Sequence, residues 1–349
     1  MNETNDGGTV DDVEADPGAP SPRHRWRGLA LRAAGSLVLL AVLLWRAPDF
    51  DLDELVPEWR AATGWYLAGA AGLTLVGIVL SSLRWQAVLT VLGVRSRLGA
   101  LVSHSLAGQF VANVLPTTIG GDVLRVSRLS RSSGQGPLSF ASVVLERLTG
   151  WLVLPLLTYV AFVVNPGLTH LGTASKVAIA LATGTLLALV AVVVAVASRR
   201  FGRRYRATEG WRRFAGAVHV GLARLRDRPR AAASVLLVGV AYQLVLVLAA
   251  LMAAKAVGMG VAVGPTAILA FFPAVAIAQV LPIGISGLGV REGAFVLFLG
   301  PLGVPPEQAV ALGLLLYLLN LAVSLLGAPA FALGGRAAAP APGAAVAAG

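Results

Sequence analysis

Two short stretches of the sequence carry residues that could bind an anionic group. Residues 113–125 read NVLPTTIGGDVLR, and residues 279–291 read QVLPIGISGLGVR. In each stretch Leu-Pro is followed by glycines and then by an arginine nine positions after the proline. Proline removes a backbone donor and glycine permits turns, so these peptide groups are predicted to leave the helical hydrogen-bond ladder. Free backbone amides beside a guanidinium group suit a phosphate.

The candidate site residues lie in or near these stretches. Arg125 and Arg291 are the predicted contacts to the anionic group, since a guanidinium group can bind phosphate in a bidentate manner. The other predicted substrate contacts are polar or charged: Asn113, Asp122, Glu146, Arg147, Gln279 and Glu292. The residues predicted to break helices are Pro116, Gly120, Gly121, Pro282, Gly287 and Gly289. This is a predicted binding site, with no residue assigned to catalysis.

Several of these charges have two interpretations. Glu146 and Arg147 lie in the apolar run VVLERLTGWLVLPLL, where an unpaired charge is expensive. They could form an ion pair near the cytoplasmic interface that only fixes helix packing. Alternatively, one of them faces a cavity and pairs with a residue in the other half of the chain. The two side chains are not expected to point at the same place, because adjacent helical residues diverge by about 100°. Asp122 could simply cap the next turn, and Glu292 could neutralise Arg291.

The composition predicts an integral membrane protein. Of the 349 residues 56% are hydrophobic and 13% charged, and the mean hydropathy is +0.77. Without cysteine, and with four scattered histidines, no metal and no cofactor are expected. The net charge of +11 does not indicate a protein that binds nucleic acid. Its arginine-rich loop at 199–230 adjoins a predicted span, where basic and aromatic residues are typical of contact with anionic lipid heads.

Six apolar runs approach the roughly 20 residues that a membrane-spanning helix needs. They are residues 29–46, 65–83, 138–164, 175–197, 231–253 and 307–333. Two further runs, 99–116 and 264–282, end at the Leu-Pro sequences. Basic residues flank the first of these on both sides, with Arg84 before it and Arg125 after it, so both ends are predicted to be cytoplasmic. The prediction is therefore about six crossings with two re-entrant broken hairpins; eight crossings is the alternative.

The two broken segments belong to a longer repeat. An offset of 166 positions relates Pro116 to Pro282 and Arg125 to Arg291, and it places residues 138–164 on 304–330, inside the last span. The predicted halves, about 29–164 and 175–333, each cross the membrane an odd number of times, so the second half is inverted. This all-α inverted repeat is typical of transporters. Its breaks should face a polar cavity, because free peptide groups in hydrocarbon cost several kcal/mol each.

The ends of the chain differ from the apolar region at 23–333. Residues 1–22 are acidic and rich in Asp, Gly and Pro, which predicts a disordered tail. Residues 334–349 form a low-complexity Ala/Pro tail that is also predicted to be disordered. The arginines that follow residue 22 predict cytoplasmic N- and C-termini in a multi-pass protein of the cell membrane.

Four motifs resemble the transmembrane region of lysylphosphatidylglycerol synthases, a flippase-like domain. They read SSLRWQAVLTVLG (81–93), GQFVANVLPTTIGGDVLRVSRL (108–129), ASVVLERLTGW (141–151) and QVLPIGISGLGVREGAF (279–295). The resemblance covers roughly residues 26–333 and implies translocation of a polar-headed lipid between leaflets. The full synthases carry a soluble domain that aminoacylates phosphatidylglycerol. Since the apolar region is followed here only by the Ala/Pro tail, we expect a free-standing member without aminoacyltransferase activity.

The predicted function is thus the flipping of an anionic or aminoacylated lipid, without enzymatic activity. The expected partners are membrane lipids, such as phosphatidylglycerol derivatives or polyprenyl-phosphate-linked lipids, a separate lipid-modifying enzyme and a second copy of the chain. Two alternatives stay open: an enzyme of lipid-linked sugar transfer that uses Asp122, Glu146 or Glu292, and a non-transporting accessory subunit. The sequence has no GxxxxGK[ST] motif, so downhill or potential-coupled exchange is expected.

Overall fold

The computed structural model describes residues 61–114, 120–197, 212–260, 263–280 and 287–333. Its α-helices are α1 (Ala61–Leu92), α2 (Leu98–Val114), α3 (Gly120–Ser133), α4 (Gly136–Val164), α5 (Thr173–Ala197), α6 (Arg212–Asp227), α7 (Pro229–Ala256), α8 (Pro265–Ala278), α9 (Val290–Leu299), α10 (Pro306–Leu325) and α11 (Gly327–Leu333). Short 3-10 segments occupy Pro166–His170 and Gly300–Leu302. Within these described ranges there is no strand, so the predicted all-α class is confirmed.

Five helical segments in the described part of the chain are long and apolar enough to cross a membrane. They are α1, α4, α5, α7 and the continuous stretch of α10 and α11. Each corresponds to a predicted span, and the protein is therefore a multi-pass membrane protein. The predicted first span at 29–46 and the two predicted tails, 1–22 and 334–349, lie outside the described residues.

Prolines set several helix starts. Helices α7, α8 and α10 each begin at a proline, and α4 has a proline in its first turn. The first backbone N–H groups of a helix have no intrahelical partner, so proline removes nothing there and its fixed φ favours the helix. At its other end α4 stops before Asn165-Pro166, because a residue preceding proline disfavours helical geometry.

Both Leu-Pro segments separate two short helices. Helix α2 precedes the first and packs against α3, which follows it; α8 precedes the second and packs against α9. These helices have 17, 14, 14 and 10 residues, fewer than the roughly 20 that a crossing needs. Pro116 and Pro282 themselves lie outside the described residues. The predicted helix breaks at these prolines and the choice between six and eight crossings both stay predictions.

The helices of the two predicted halves make corresponding contacts. At the 166-residue offset α1 to α4 correspond to α7 to α11. Helix α4 packs against α8, whereas α10 and α11 pack against α2, and α1 and α7 pack along each other. The contact of α4 with α8 thus corresponds to that of α10 and α11 with α2, and the contact of α1 with α7 corresponds to itself. This is the pattern that a twofold axis between the halves produces. The opposite orientation of the halves in the membrane stays a prediction.

Two apolar clusters form the core. One surrounds α8, where Phe271 stacks on Phe298 with ring centroids 5.3 Å apart. The other surrounds the fully buried Trp85 of α1 and includes Leu129 and Leu145. The outer face of α5, by contrast, exposes leucine and valine side chains such as Leu187. This exposed apolar surface is typical of a helix that faces lipid.

Candidate functional site

A cavity of about 370 Å³ lies between helices of both halves. Its polar lining residues are Thr74, Ser81, Arg84, Ser105, Gln109, Asp122, Arg125, Glu146, Arg147, Tyr242, Gln279, Arg291 and Asn320. Several of them project from long, strongly apolar helices, namely α1, α4 and α7, whereas Asp122 and Arg125 lie on the more polar α3. Ionisable residues are expensive within membrane segments, so a cluster of them around a cavity marks the candidate functional site.

The structure brings most of the predicted contact residues to this cavity. Asp122, Arg125, Glu146, Arg147, Gln279 and Arg291 line it. Glu292 is fully buried beside Arg291. Asn113 is not among the lining residues, and its amide nitrogen is buried without a hydrogen-bond partner in the described part of the chain. The binding role of all eight residues stays a prediction.

The glycines predicted to break the helices lie at the starts of α3 and α9. Gly120 begins α3 and Gly121 lines the cavity. Gly287 and Gly289 precede α9 with φ of 79° and 83°, conformations that glycine adopts readily and other residues rarely. A Cβ on Gly287 would lie 2.9 Å from Cβ of Gln279. Position 287 therefore requires glycine, both for its backbone conformation and for its close packing against Gln279.

Five charged side chains of the first half form one chain of ion pairs. Arg84 contacts Glu146 through two nitrogens, with Nε 3.0 Å from Oε1. Arg125 Nη1 lies 3.4 Å from Glu146 Oε2 and 3.3 Å from Asp122 Oδ1. Arg147 donates to both Asp122 oxygens, at 3.0 and 2.8 Å. Three guanidinium groups thus share two carboxylates, and the cluster keeps one net positive charge.

The ion pairs of Glu146 and Arg147 distinguish between their two interpretations. Among the described residues their ion-pair partners are Arg84, Arg125 and Asp122, which all lie in the first half, so no pair across the halves is seen there. Both side chains nevertheless line the cavity. The reason is that α1 and α3 both pack against α4, so diverging side chains on α4 each meet a partner, and Arg125 connects the two carboxylates.

Sequence reasoning missed Arg84 as a site residue. The sequence predicts a span that ends at residue 83 with Arg84 flanking it, but α1 continues to Leu92 and Arg84 is only 4% exposed. Its guanidinium carbon lies 5.0 Å from the centre of the Tyr242 ring, a cation–π distance. A signal was present, because apolar residues continue past Arg84 in the sequence WQAVLTVL.

The second half carries a smaller charged pair. Arg291 donates from Nε and Nη2 to Glu292 Oε1 at 3.2 and 2.9 Å. The other Glu292 oxygen accepts from the Gly289 backbone nitrogen at 2.6 Å, which caps α9. Glu292 therefore neutralises Arg291, as their adjacency suggested. The halves are not equivalent, because the offset places Glu146 and Arg147 of the first half on Leu312 and Gly313.

The cavity wall has more hydrogen-bond donors than acceptors. In the described part of the chain, Arg125 Nε, Arg125 Nη2 and Arg84 Nη1 are buried without a hydrogen-bond partner. Arg125 also lies over the Trp85 ring, 4.2 Å from its centre. A buried charged donor without a partner is costly. Both arginines line the cavity, so these atoms are the candidate donors to an oxyanion bound there.

An apolar groove of about 380 Å³ adjoins the cavity between α1 and α2. It is lined by Leu75, Val76, Ile78, Val79, Leu80, Val102 and Leu106. Ile78 lines both the groove and the polar cavity. The charged cavity and the apolar groove are therefore neighbours that meet at Ile78.

Helices α2 and α3, which lie on either side of the first Leu-Pro segment, are in close contact. A Cβ on Gly121 of α3 would lie 2.4 Å from the Gly108 carbonyl oxygen of α2, and small residues are what permit such an approach between membrane helices. Gly121→Ala is expected to push α2 and α3 apart and to lower the free energy of unfolding by about 1–3 kcal/mol. Thermal unfolding in detergent measures this effect.

Gly99→Ala is the matched control for that substitution. Gly99 also lies on α2, but nothing lies within 4 Å of an added Cβ. Alanine there should leave the melting temperature unchanged or raise it slightly, because alanine favours helix. Equal melting temperatures for the two variants would contradict the close packing of α2 against α3.

Fold and site together define a multi-pass membrane protein with a charged internal cavity beside an apolar groove. The chain matches the family described as lysylphosphatidylglycerol synthase TM region over residues 32–327. It therefore belongs to this family, and the resemblance seen in the sequence is confirmed. That region is the flippase-like part of the family, not an aminoacyltransferase domain, and it indicates a lipid-related membrane function. The comparison with curated proteins gives no match.

Proposed function

We propose that this protein moves a polar-headed lipid between the two leaflets of the cell membrane, with both termini in the cytoplasm. The observation that carries the proposal is the set of buried guanidinium donors of Arg84 and Arg125 that have no hydrogen-bond partner among the described residues; both arginines line a cavity that adjoins an apolar groove. The phosphate of a lipid head would bind in the cavity. Its hydrocarbon chain would lie in the groove or in the surrounding bilayer.

The barrier to lipid flipping is the transfer of a charged head through hydrocarbon, which has no groups to solvate it. A cavity lined by guanidinium, hydroxyl and amide groups lowers this barrier, because it replaces the lost water with fixed donors. The groove meets the cavity at Ile78, so it would take the hydrocarbon chain while the cavity takes the head. The lipid then need not leave the membrane while its head crosses.

The contacts between the halves suit alternating access. Each short-helix pair contacts the last span of the opposite half through α8 on α4 and through α2 on α10 and α11. Rocking one half against the other about the α1–α7 contact would expose the cavity to each side in turn, as in other repeat-built transporters. Exchange would be downhill or coupled to the membrane potential.

The carboxylates favour transport over lipid-linked sugar transfer. Asp122, Glu146 and Glu292 are each ion-paired with arginine. Each of the three carboxylates is therefore already engaged by a guanidinium group, and none of them is left free to act on a sugar donor. The accessory-subunit alternative gives the partnerless donors no role. We therefore propose a non-enzymatic translocator.

Translocation can be measured in vesicles that hold phosphatidylglycerol with a fluorophore on one acyl chain. A membrane-impermeant reductant bleaches the outer leaflet, and later bleaching reports lipid that has crossed. Vesicles with the protein should bleach the inner pool faster than protein-free vesicles. Equal rates, with the reconstituted protein shown to be folded, would contradict the proposal. Glycosyl transfer from a polyprenyl-linked sugar in the same vesicles would instead support the enzyme alternative.

A further inference from the structure

The cavity has no carboxylate left for a cationic headgroup. Asp122 is held by Arg147 and Arg125, and Glu146 by Arg84 and Arg125. Among the described residues these are the acidic groups that line the cavity. An ammonium group would therefore have to displace an arginine from its carboxylate or stay unpaired beside a surplus of positive charge, and both are unfavourable in a weakly polar environment.

The partnerless atoms point the same way. Among the described residues that line the cavity, the buried side-chain atoms without a hydrogen-bond partner are all donors, namely Arg84 Nη1, Arg125 Nε and Arg125 Nη2. Phosphate oxygens are acceptors and would satisfy them, whereas an ammonium group brings three further donors and no acceptor. The donor surplus thus selects the anionic part of a headgroup and gives nothing to a cationic part.

The rest of the lining suits a neutral polar substituent. Gln279, Asn320 and Tyr242 line the cavity from the second half; amide and phenol groups both donate and accept, as hydroxyl groups require. The volume of about 370 Å³ equals roughly a dozen water molecules at about 30 Å³ each. This leaves room beside a phosphate for a glycerol or a sugar.

We propose that the cavity is specific for a phosphate-bearing lipid head with a neutral, hydroxyl-rich substituent, and that it discriminates against aminoacylated, cationic heads. This specificity rests on the proposed lipid translocation. The lipid that the cavity prefers would then be an unmodified anionic lipid. It would not be the aminoacylated lipid after which the family is named.

Phosphatidylglycerol and lysylphosphatidylglycerol make a matched pair, because they differ only in the cationic lysyl group. Stabilisation of the detergent-solubilised protein against heat reports binding of each lipid. Phosphatidylglycerol is expected to bind at least tenfold more tightly. A lysyl derivative with both amines acetylated keeps the size without the charge, and it should recover most of the lost affinity. Equal binding of the first two lipids, or equal weakness of the lysyl and acetylated lipids, would overturn the proposal.

Arg147→Gln supplies a second test. Arg147 is the most accessible arginine of the cluster, with 56% of its side chain exposed, and its removal releases Asp122 from its shorter pairing. The preference for phosphatidylglycerol over the lysyl lipid should fall at least threefold, and an unchanged preference would overturn the proposal. Vesicle translocation is measured separately: selective binding without transport refutes only the translocation, and equal transport of both lipids refutes only the specificity.

Discussion

Glu146→Gln is expected to destabilise the protein more than any other single substitution at the cavity. Glu146 is 1% exposed and pairs with both Arg84 and Arg125. A glutamine leaves three guanidinium groups to share the single carboxylate of Asp122. Removing one partner from a buried ion pair typically costs about 3–5 kcal/mol. The melting temperature and the folded yield in detergent measure the loss.

A double variant separates charge balance from other effects of this change. Arg84→Gln with Glu146→Gln removes one charge of each sign and restores the balance of the cluster. It is expected to regain a large part of the lost stability, since a matched buried pair contributes far less than an unmatched charge costs. A double variant less stable than Glu146→Gln would argue that the cluster is not organised by charge pairing.

Arg125→Gln is expected to abolish most transport while leaving the fold intact. Without Arg125, Arg84 still pairs with Glu146 and Arg147 with Asp122, so two charges of each sign remain. The variant does lose the two partnerless donors, Nε and Nη2. Losing a charge-assisted hydrogen bond costs about 1.5–3 kcal/mol, which corresponds to a roughly 10- to 150-fold slower translocation of phosphatidylglycerol.

Two further variants make this result specific. Arg131→Gln removes the same charge from the same helix, but Arg131 is exposed and does not line the cavity, so transport should be unchanged. Arg125→Lys keeps the charge and loses the guanidinium fork, and an intermediate rate is expected. If Arg125→Gln and Arg131→Gln transport lipid equally fast, Arg125 is not a headgroup contact.

The arrangement of helices could be predicted because its signals are local or periodic. Apolar runs of spanning length, prolines at helix starts and the 166-residue offset are all readable in the sequence. The extent of α1 is readable only in part: apolar residues continue past Arg84 in WQAVLTVL, but a lone arginine is typical of the end of a span. Its tolerance inside the helix depends on Glu146, 62 positions away, and that contact exists only once α1 and α4 have packed.

The ion-pair partners of the charged residues could likewise not be predicted from the sequence. The repeat predicts that Arg125 and Arg291 occupy related places, and both do line the cavity. It does not predict that Arg125 bridges two carboxylates while Arg291 pairs with its own neighbour. Those choices follow from helix contacts such as that of Gly121 with Gly108, which fix where Arg125 lies relative to α4.

Access of water and lipid to the cavity tests the central claim most directly. The chain has no cysteine, so Gln109→Cys and Asn320→Cys each place a single thiol in the cavity, one from each half. Leu187→Cys places one on the exposed apolar face of α5. We expect a charged, membrane-impermeant thiol reagent to label both cavity positions but not position 187, and added phosphatidylglycerol to slow the labelling. Cavity thiols as unreactive as position 187, or labelling that the lipid leaves unchanged, would contradict a polar cavity that receives a lipid head.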